Sequence, residues 1–255
     1  MAKLSAVILL TWVMVWPASA AYSADSQPCD TEYQQTMSLS PDKQVSAWRK
    51  IKTPCRQSQR YYVVGASIAQ QLLQFNDALA FINEGLKHDG EYRIALQYSL
   101  ADLYLTIGHN ADKALPIAER LVKDYPDFIG GYWKKAHALL QTGAIAEAIS
   151  VLEGSPNAEG TAQTQASLAV AYGVAGKDLE CARAMQRAIR LDREQLGNVY
   201  AVSAAAYALV RLGHLPEAQD LLVRHLAIRP ESTDNEEYRN ASRFVQAAMV
   251  KSEKP

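Results

Sequence analysis

The sequence predicts an all-α fold, a solenoid of antiparallel helix pairs stacked in series, and three observations predict it. The chain is rich in Ala and Leu, with 13 Gly and 10 Pro in 255 residues, a mix that suits packed helices rather than a β-rich or disordered polymer. One pattern of small, apolar and glycine positions recurs four times at a nearly constant interval. Apolar residues such as Leu152, Met185, Ile189, Leu222 and Leu226 recur at helical spacing behind it, as expected of faces that bury against a neighbouring pair.

The recurring unit reads as a first helix, a glycine, a short turn, and a second helix opening on a small residue. Leu100-Ala101-Asp102-Leu103-Tyr104 leads to Gly108 and Ala114, and Lys135-Ala136-His137-Ala138-Leu139 leads to Gly143 and Ala148. Leu168-Ala169-Val170-Ala171-Tyr172 leads to Gly176 and Cys181, and Ala205-Ala206-Tyr207-Ala208-Leu209 leads to Gly213 and Ala218. The glycines lie 35, 33 and 37 residues apart. A weaker copy with Tyr62, Ala66, Phe75, Ala78, Ile82 and Leu86 precedes them, without the central glycine.

These units resemble tetratricopeptide repeats, whose period is about 34 residues and whose first helix carries an aromatic, then Leu with a small residue, then Tyr. The best copy, Ala162–Arg193, has Leu168, Ala169, Tyr172, Gly176, Met185 and Ala188, with Arg193 where the family usually has Pro. Pro126 and Pro230 do close two other copies. The resemblance covers about Gln59 to Pro230. It implies about five helix pairs over 59–230 in a right-handed superhelix, with an N-terminal capping segment over 21–58 and a C-terminal capping helix and tail over 231–255.

Residue chemistry supports the pattern. Small side chains at Ala101, Ala136, Ala169 and Ala206 let the first helix approach Ala114, Ala148, Cys181 and Ala218 of the second. Cys181 thus reads as a slightly enlarged Ala in a packed position. Gly ends each first helix by taking a left-handed conformation at no Cβ cost, and Pro ends the second because it cannot extend the hydrogen-bond ladder. Two departures stand out. Gly108 to Ala114 is one residue longer than the later equivalents, which puts Pro116 near the start of that second helix. The stretch Glu153–Thr161, with Gly154, Ser155, Pro156 and Gly160, shortens another second helix.

Terminal repeats expose an apolar face and need caps. Tyr238, Ala241, Phe244, Val245, Ala248 and Met249 form one stripe of a C-terminal helix. At the other end Ser40-Pro41-Asp42 starts a helix with Val45, Trp48 and Ile51. Cys29 and Cys55 are placed to pair in an oxidising compartment and staple this cap, two free thiols being the alternative.

Residues 1–20 read as a cleavable signal peptide. Lys3 gives a basic start, Leu4 to Trp16 is almost uninterrupted apolar sequence, and Ala18-Ser19-Ala20 follows the helix-breaking Pro17, the tripartite pattern of an export signal. The apolar run falls short of the roughly 20 residues a membrane span needs. The expectation is a periplasmic or secreted bacterial protein with no membrane insertion after cleavage. With 26 basic against 27 acidic residues, the chain offers no field for nucleic acid.

The sequence contains no His-Glu-x-x-His, no Gly-x-Ser-x-Gly and no glycine-rich phosphate loop, and its five histidines are scattered. No catalytic residue, metal or cofactor is expected, and the protein reads as a non-enzyme. In the family it resembles, residues beside the packing stripe of each first helix line a concave groove. By alignment these are Tyr98, Asp102, Trp133, His137, Ser167, Val170, Tyr200, Ser203, Tyr207 and Arg211. Such a groove suits a peptide or helix, though Trp133, Tyr200 and Tyr207 are equally able to pack between repeats. Some relatives grip an acidic C-terminus with Lys, Arg and Asn, and the residues here depart from that clamp. The implied function is a non-catalytic adaptor or scaffold of the bacterial cell envelope that binds a protein or peptide partner. The alternatives are a periplasmic receptor for a small ligand or glycan, and an accessory subunit of an envelope enzyme complex. The oligomeric state is left open.

Overall fold

The structure, a computed structural model, describes residues 27–252. The expected signal peptide at 1–20 lies outside the described residues. The chain divides into two compact units at Asp124/Tyr125, and all thirteen α-helices found among the described residues belong to one or the other.

The first unit contains α1 (Gln27–Met37), α2 (Pro41–Trp48), a 3-10 turn (Thr53–Gln57), α3 (Gln59–Gln71), α4 (Phe75–Gly85), α5 (Arg93–Thr106) and α6 (Ala111–Asp124). Pro41 occupies the first position of α2, where its missing N–H is not needed. Trp48 is 0% exposed at the centre of a ring cluster, 4.8 Å from Tyr33 and 5.5 Å from Tyr61 between centroids. Its Nε1–H donates to the Tyr61 carbonyl at 3.0 Å, and the Tyr61 hydroxyl donates to the Trp48 carbonyl at 3.1 Å. The two rings therefore satisfy each other's backbone while excluding water. Cys29 and Cys55 are joined by a disulfide, and the Tyr33 hydroxyl donates to the Cys55 carbonyl at 2.7 Å. Helix α1, which no apolar stripe announces, is thus attached through one disulfide, one aromatic ring and the ion pairs Asp30–Arg60 and Glu32–Lys52.

The second unit contains α7 (Ile129–Gln141), α8 (Ile145–Glu153), a 3-10 turn (Ala158–Gly160), α9 (Ala162–Val174) and α10 (Asp178–Leu191). A 3-10 turn (Arg193–Gly197), α11 (Val199–Arg211), α12 (Leu215–Ile228), a 3-10 turn (Pro230–Asp234) and α13 (Glu236–Ser252) follow. Pairs α7/α8, α9/α10 and α11/α12 pack as hairpins, α9 packs on α11, and α11 packs on α13. Small side chains set the approach: Ala136, Ala148, Ala169, Cys181, Ala206 and Ala218 are all essentially inaccessible. Burial pushes the Cys181 thiol up to about 12, so it stays protonated and packs as a small apolar group.

The turns show where sequence pattern and backbone agree. Gly143, Gly176 and Gly213 take φ of 82°, 71° and 82°, and the next residue's N–H reaches back five positions, as from Ala144 to Leu139 at 2.8 Å. In the first unit the same left-handed position is held by Leu73 (φ 55°) after α3 and by His109 (φ 45°) after α5. The extra residue after α5 places the left-handed turn one step past Gly108, and Asn110 N–H reaches back six positions to Tyr104 at 2.7 Å. Pro116 is the sixth residue of α6, inside the helix rather than in its first turn. Helix α8 has 9 residues where α10 and α12 have 14.

Candidate functional site

The side chains read from the sequence as groove residues fall in both units. Tyr98 and Asp102 are on α5 of the first. Tyr98 is half-buried, and Asp102 is 8% exposed with its backbone carbonyl taken by Thr106. The other eight are on α7, α9 and α11 of the second unit, and these form the coherent candidate surface.

On α7, the Trp133 Nε1–H donates to Thr164 Oγ1 of α9 at 2.8 Å. Trp133 is half-buried, so one edge ties two first helices together while part of the ring meets solvent. His137, one turn later, lies 3.1 Å from Gln141 Nε2. Ser167 and Val170 on α9 are half-buried.

On α11, Tyr200, Ser203, Tyr207 and Arg211 share one side, and their fates differ. Ser203 is 0% exposed, so it does not reach a ligand at the surface. Its expected place in the groove is corrected to the core, because α11 is covered by α9 on one flank and α13 on the other. Arg211 is solvent-facing but engaged, gripping Asp178 of α10 through Nε at 2.9 Å to both carboxylate oxygens and through Nη2. That bidentate pair holds the guanidinium's proton even more firmly than usual. Tyr207 meets Phe244 of α13 edge to face at 5.2 Å. Tyr200 keeps its hydroxyl buried with no hydrogen-bond partner, and burial, followed by the charge of Glu237, pushes its phenol up to about 12.

Helix α13 brings two residues to this surface: Phe244, expected only in the capping stripe, and Glu237, expected on a solvated helix end. Phe244 is 41% exposed, whereas Tyr238, Ala241 and Val245 form the buried stripe. Glu237 is half-buried in the first turn of α13, and burial pushes its carboxyl above the usual carboxylate range, with Glu236 adding to the effect. The signal that could have found them is positional. Counting 37 residues on from Tyr200 and Tyr207, the same interval that separates Gly176 from Gly213, lands on Glu237 and Phe244. Helix α13 therefore stands where a further first helix would begin.

Among the described residues, no group of three or more His, Cys, Asp or Glu side chains could hold a metal ion. No helix of that part is long and apolar enough to cross a membrane.

No protein-family model and no curated protein matches the chain. Solved structures do. A thermophilic TPR protein of Thermus thermophilus, TTC0263, is 20% identical with a TM-score of 0.59, over 76% of this chain and all of that one. Residues 41 to the end of MamA from Desulfovibrio magneticus RS-1 are 18% identical with a TM-score of 0.51, over 69% of this chain and 97% of that one. At such identity the likeness speaks to architecture, and with the helix pairs and left-handed turns described above it gives one conclusion: the fold is the all-α solenoid of tetratricopeptide-repeat proteins.

Proposed function

We propose that the protein is a non-catalytic adaptor or scaffold of the bacterial cell envelope that receives a partner polypeptide on the first-helix side of its second unit. One observation carries this reading. Helices α7, α11 and α13 present Trp133, Tyr207 and Phe244 as partly exposed rings, each fixed by packing or a hydrogen bond rather than swinging free. Rigid aromatic side chains with polar edges give contact area at low entropic cost, the property that makes such residues anchors at interfaces. Val170 of α9 adds an apolar contact, and His137 a polar one. Solenoid surfaces of this kind accumulate extended binding area because each repeat adds one helix to the same side. Export rests on residues 1–20 and is consistent with the disulfide between Cys29 and Cys55, a bond that persists in oxidising compartments.

The experiment is in-cell crosslinking followed by affinity capture from the periplasmic fraction, comparing the native chain with Phe244→Ala and Val170→Ser. Both positions are accessible enough to change with little loss of helix content, checked by circular dichroism. The expected result is a chain cleaved after Ala20 or Ala21 in the periplasm, and a partner whose capture drops at least about tenfold in Phe244→Ala, as for a central anchor. Capture unaffected by both variants would remove the surface from consideration. Retention of an uncleaved chain in the cytoplasm would remove the envelope assignment.

A further inference from the structure

The first-helix surface contains a carboxylate with no counter-charge. Glu237 is half-buried in α13, yet it takes part in none of the ion pairs or hydrogen bonds found among the described residues. Partly buried charges are ordinarily paired, since losing water without gaining a partner costs free energy. Neither Arg211 of α11 nor Arg243 of α13 bonds to it. Arg211 is locked on Asp178, and Arg243 donates to Asn240 Oδ1 at 2.6 Å.

The surroundings of Glu237 are aromatic. Its charge acts on the phenols of both Tyr200 and Tyr207, which lie two helical turns apart on α11. The Tyr200 hydroxyl and the Ser203 hydroxyl, one turn apart on α11, are both buried without a hydrogen-bond partner. Ser203 is 0% exposed, and it stands between the two tyrosines on their side of the helix. Phe244 closes the arrangement by packing its ring on Tyr207 while leaving 41% of itself exposed. A desolvated carboxylate beside aromatic faces is complementary to one kind of group, an ammonium or guanidinium at the end of an apolar stem. The carboxylate supplies the charge-assisted hydrogen bond, the rings supply cation–π attraction, and the methylene stem covers the exposed part of Phe244.

We infer that Glu237, Tyr200, Tyr207 and Phe244 form a receptor for a Lys or Arg side chain of the polypeptide partner. The inference rests on the adaptor reading above and adds the chemistry of the partner: its anchoring residue is basic. This is the opposite of recognising an acidic chain terminus, and it uses no basic groove residue.

The test uses the full exported chain and four small probes, N-acetyl-lysine methylamide, N-acetyl-arginine methylamide, the uncharged N-acetyl-norleucine methylamide and the anionic N-acetyl-glutamate, followed by carbon NMR of the Glu237 carboxyl and the Phe244 ring. The expected result is a saturable shift with both cationic probes and a lowered titration midpoint for Glu237, with little response to norleucine. In Glu237→Gln, which keeps shape and removes charge, the ring response to the cations should weaken about tenfold. An equal response to norleucine would overturn the inference in favour of a plain apolar groove. A response to N-acetyl-glutamate instead would overturn it in favour of an anion site on Arg243, and no response to the cations would overturn it outright. Failure of the adaptor reading is separable, because it shows as absent partner capture while the probe titration is still readable. Partner capture that survives Glu237→Gln undiminished would sink the basic anchor and leave the adaptor reading standing.

Discussion

The first unit closes its core with large rings and a covalent link, whereas the second closes its core with alanines and glycine turns. Around Trp48 the chain gathers Tyr33, Tyr61, Tyr62 and Phe81 and adds the Cys29–Cys55 bond. Around α9 and α11 it places Ala166, Ala169, Ala171, Ala201, Ala205, Ala206 and Ala208, all nearly inaccessible. A helix-pair fold thus has two separate requirements. Repeated small residues let helices approach at a constant distance, which makes one pair a fit surface for the next. Helices α1 and α2 belong to no such pair, so their attachment needs bulk and a crosslink.

The largest effect should come from removing the centre of the ring cluster. Trp48→Ala deletes a fully buried ring together with its Nε1–H bond to the Tyr61 carbonyl. A loss of about 3–5 kcal/mol is expected, read from urea denaturation. A loss below about 1 kcal/mol would mean that the rings fill space without holding the unit, and the contrast would collapse. Cleaving the staple comes next. Cys29→Ser with Cys55→Ser releases a loop of sequence separation 26, for which about 3 kcal/mol is expected. Protection of α1 from hydrogen exchange should disappear first, since the disulfide is its one covalent attachment and the rest are Tyr33 and two ion pairs. Full protection of α1 in the double variant would show that the staple is dispensable.

The counterpart in the second unit is a substitution that enlarges rather than deletes. A Cβ on Gly173 would stand 2.9 Å from the Ala204 Cβ and 3.4 Å from Cys181 Sγ. Gly173→Ala should therefore cost about 1–3 kcal/mol by overpacking the α9–α11 contact, visible in the same denaturation. No loss would mean that helix approach there is slack, and the small-residue rule would not describe this unit.

Much of this contrast was legible in the residues, for a physical reason. A left-handed turn selects glycine and a close approach selects Ala, so Gly143, Gly176, Gly213 and their small partners announce themselves locally. Helix α1 was not legible: among QPCDTEYQQTM only Tyr33 is a buried large apolar side chain, which leaves no stripe to detect. On the candidate surface, alignment placed Tyr200, Tyr207 and Trp133 on the right helices. It could not foresee that Ser203 is covered from two flanks or that Arg211 is spent on Asp178, because those facts depend on neighbouring helices. Glu237 and Phe244 were missed because a terminal stripe identifies what is buried and says nothing about which flank lies open.

A graded effect with pH is expected from His225, which is completely buried on α12 and stacks on Tyr238 at 5.5 Å. Its Nδ1–H donates to the Leu196 carbonyl at 2.6 Å, and Nε2 is buried without a partner. Burial holds the imidazole below its usual range, the Leu196 bond opposing and Arg229 assisting. Because the folded value is lowered, the unfolded chain takes up the proton first as pH falls. The stability is then fully present above the unfolded value of about 6.5 and is lost between that value and the lowered folded one. His225→Gln should flatten the slope of the thermal midpoint below about pH 6.5, and an unchanged slope would assign the pH dependence to carboxylates instead.

The smallest effects form a mirror pair at equivalent turns. Leu73 holds a left-handed conformation at φ 55° with 56% of its surface exposed, so its side chain gains little while its backbone is strained by about 1–2 kcal/mol. Leu73→Gly relieves that strain at a cost of about 0.5–1 kcal/mol in unfolded-chain entropy, and should leave a net gain of about 0.5–1 kcal/mol. At Gly176, φ is 71° and an added Cβ would meet nothing within 4 Å, so Gly176→Ala should lose about 1 kcal/mol through backbone conformation alone. Opposite signs at the two sites would show that both units obey one turn rule and that the first satisfies it with the wrong residue. A loss at Leu73→Gly would show instead that the Leu73 side chain contributes packing that outweighs its strained backbone, and the first unit's turn would then be a different device from the glycine turns of the second.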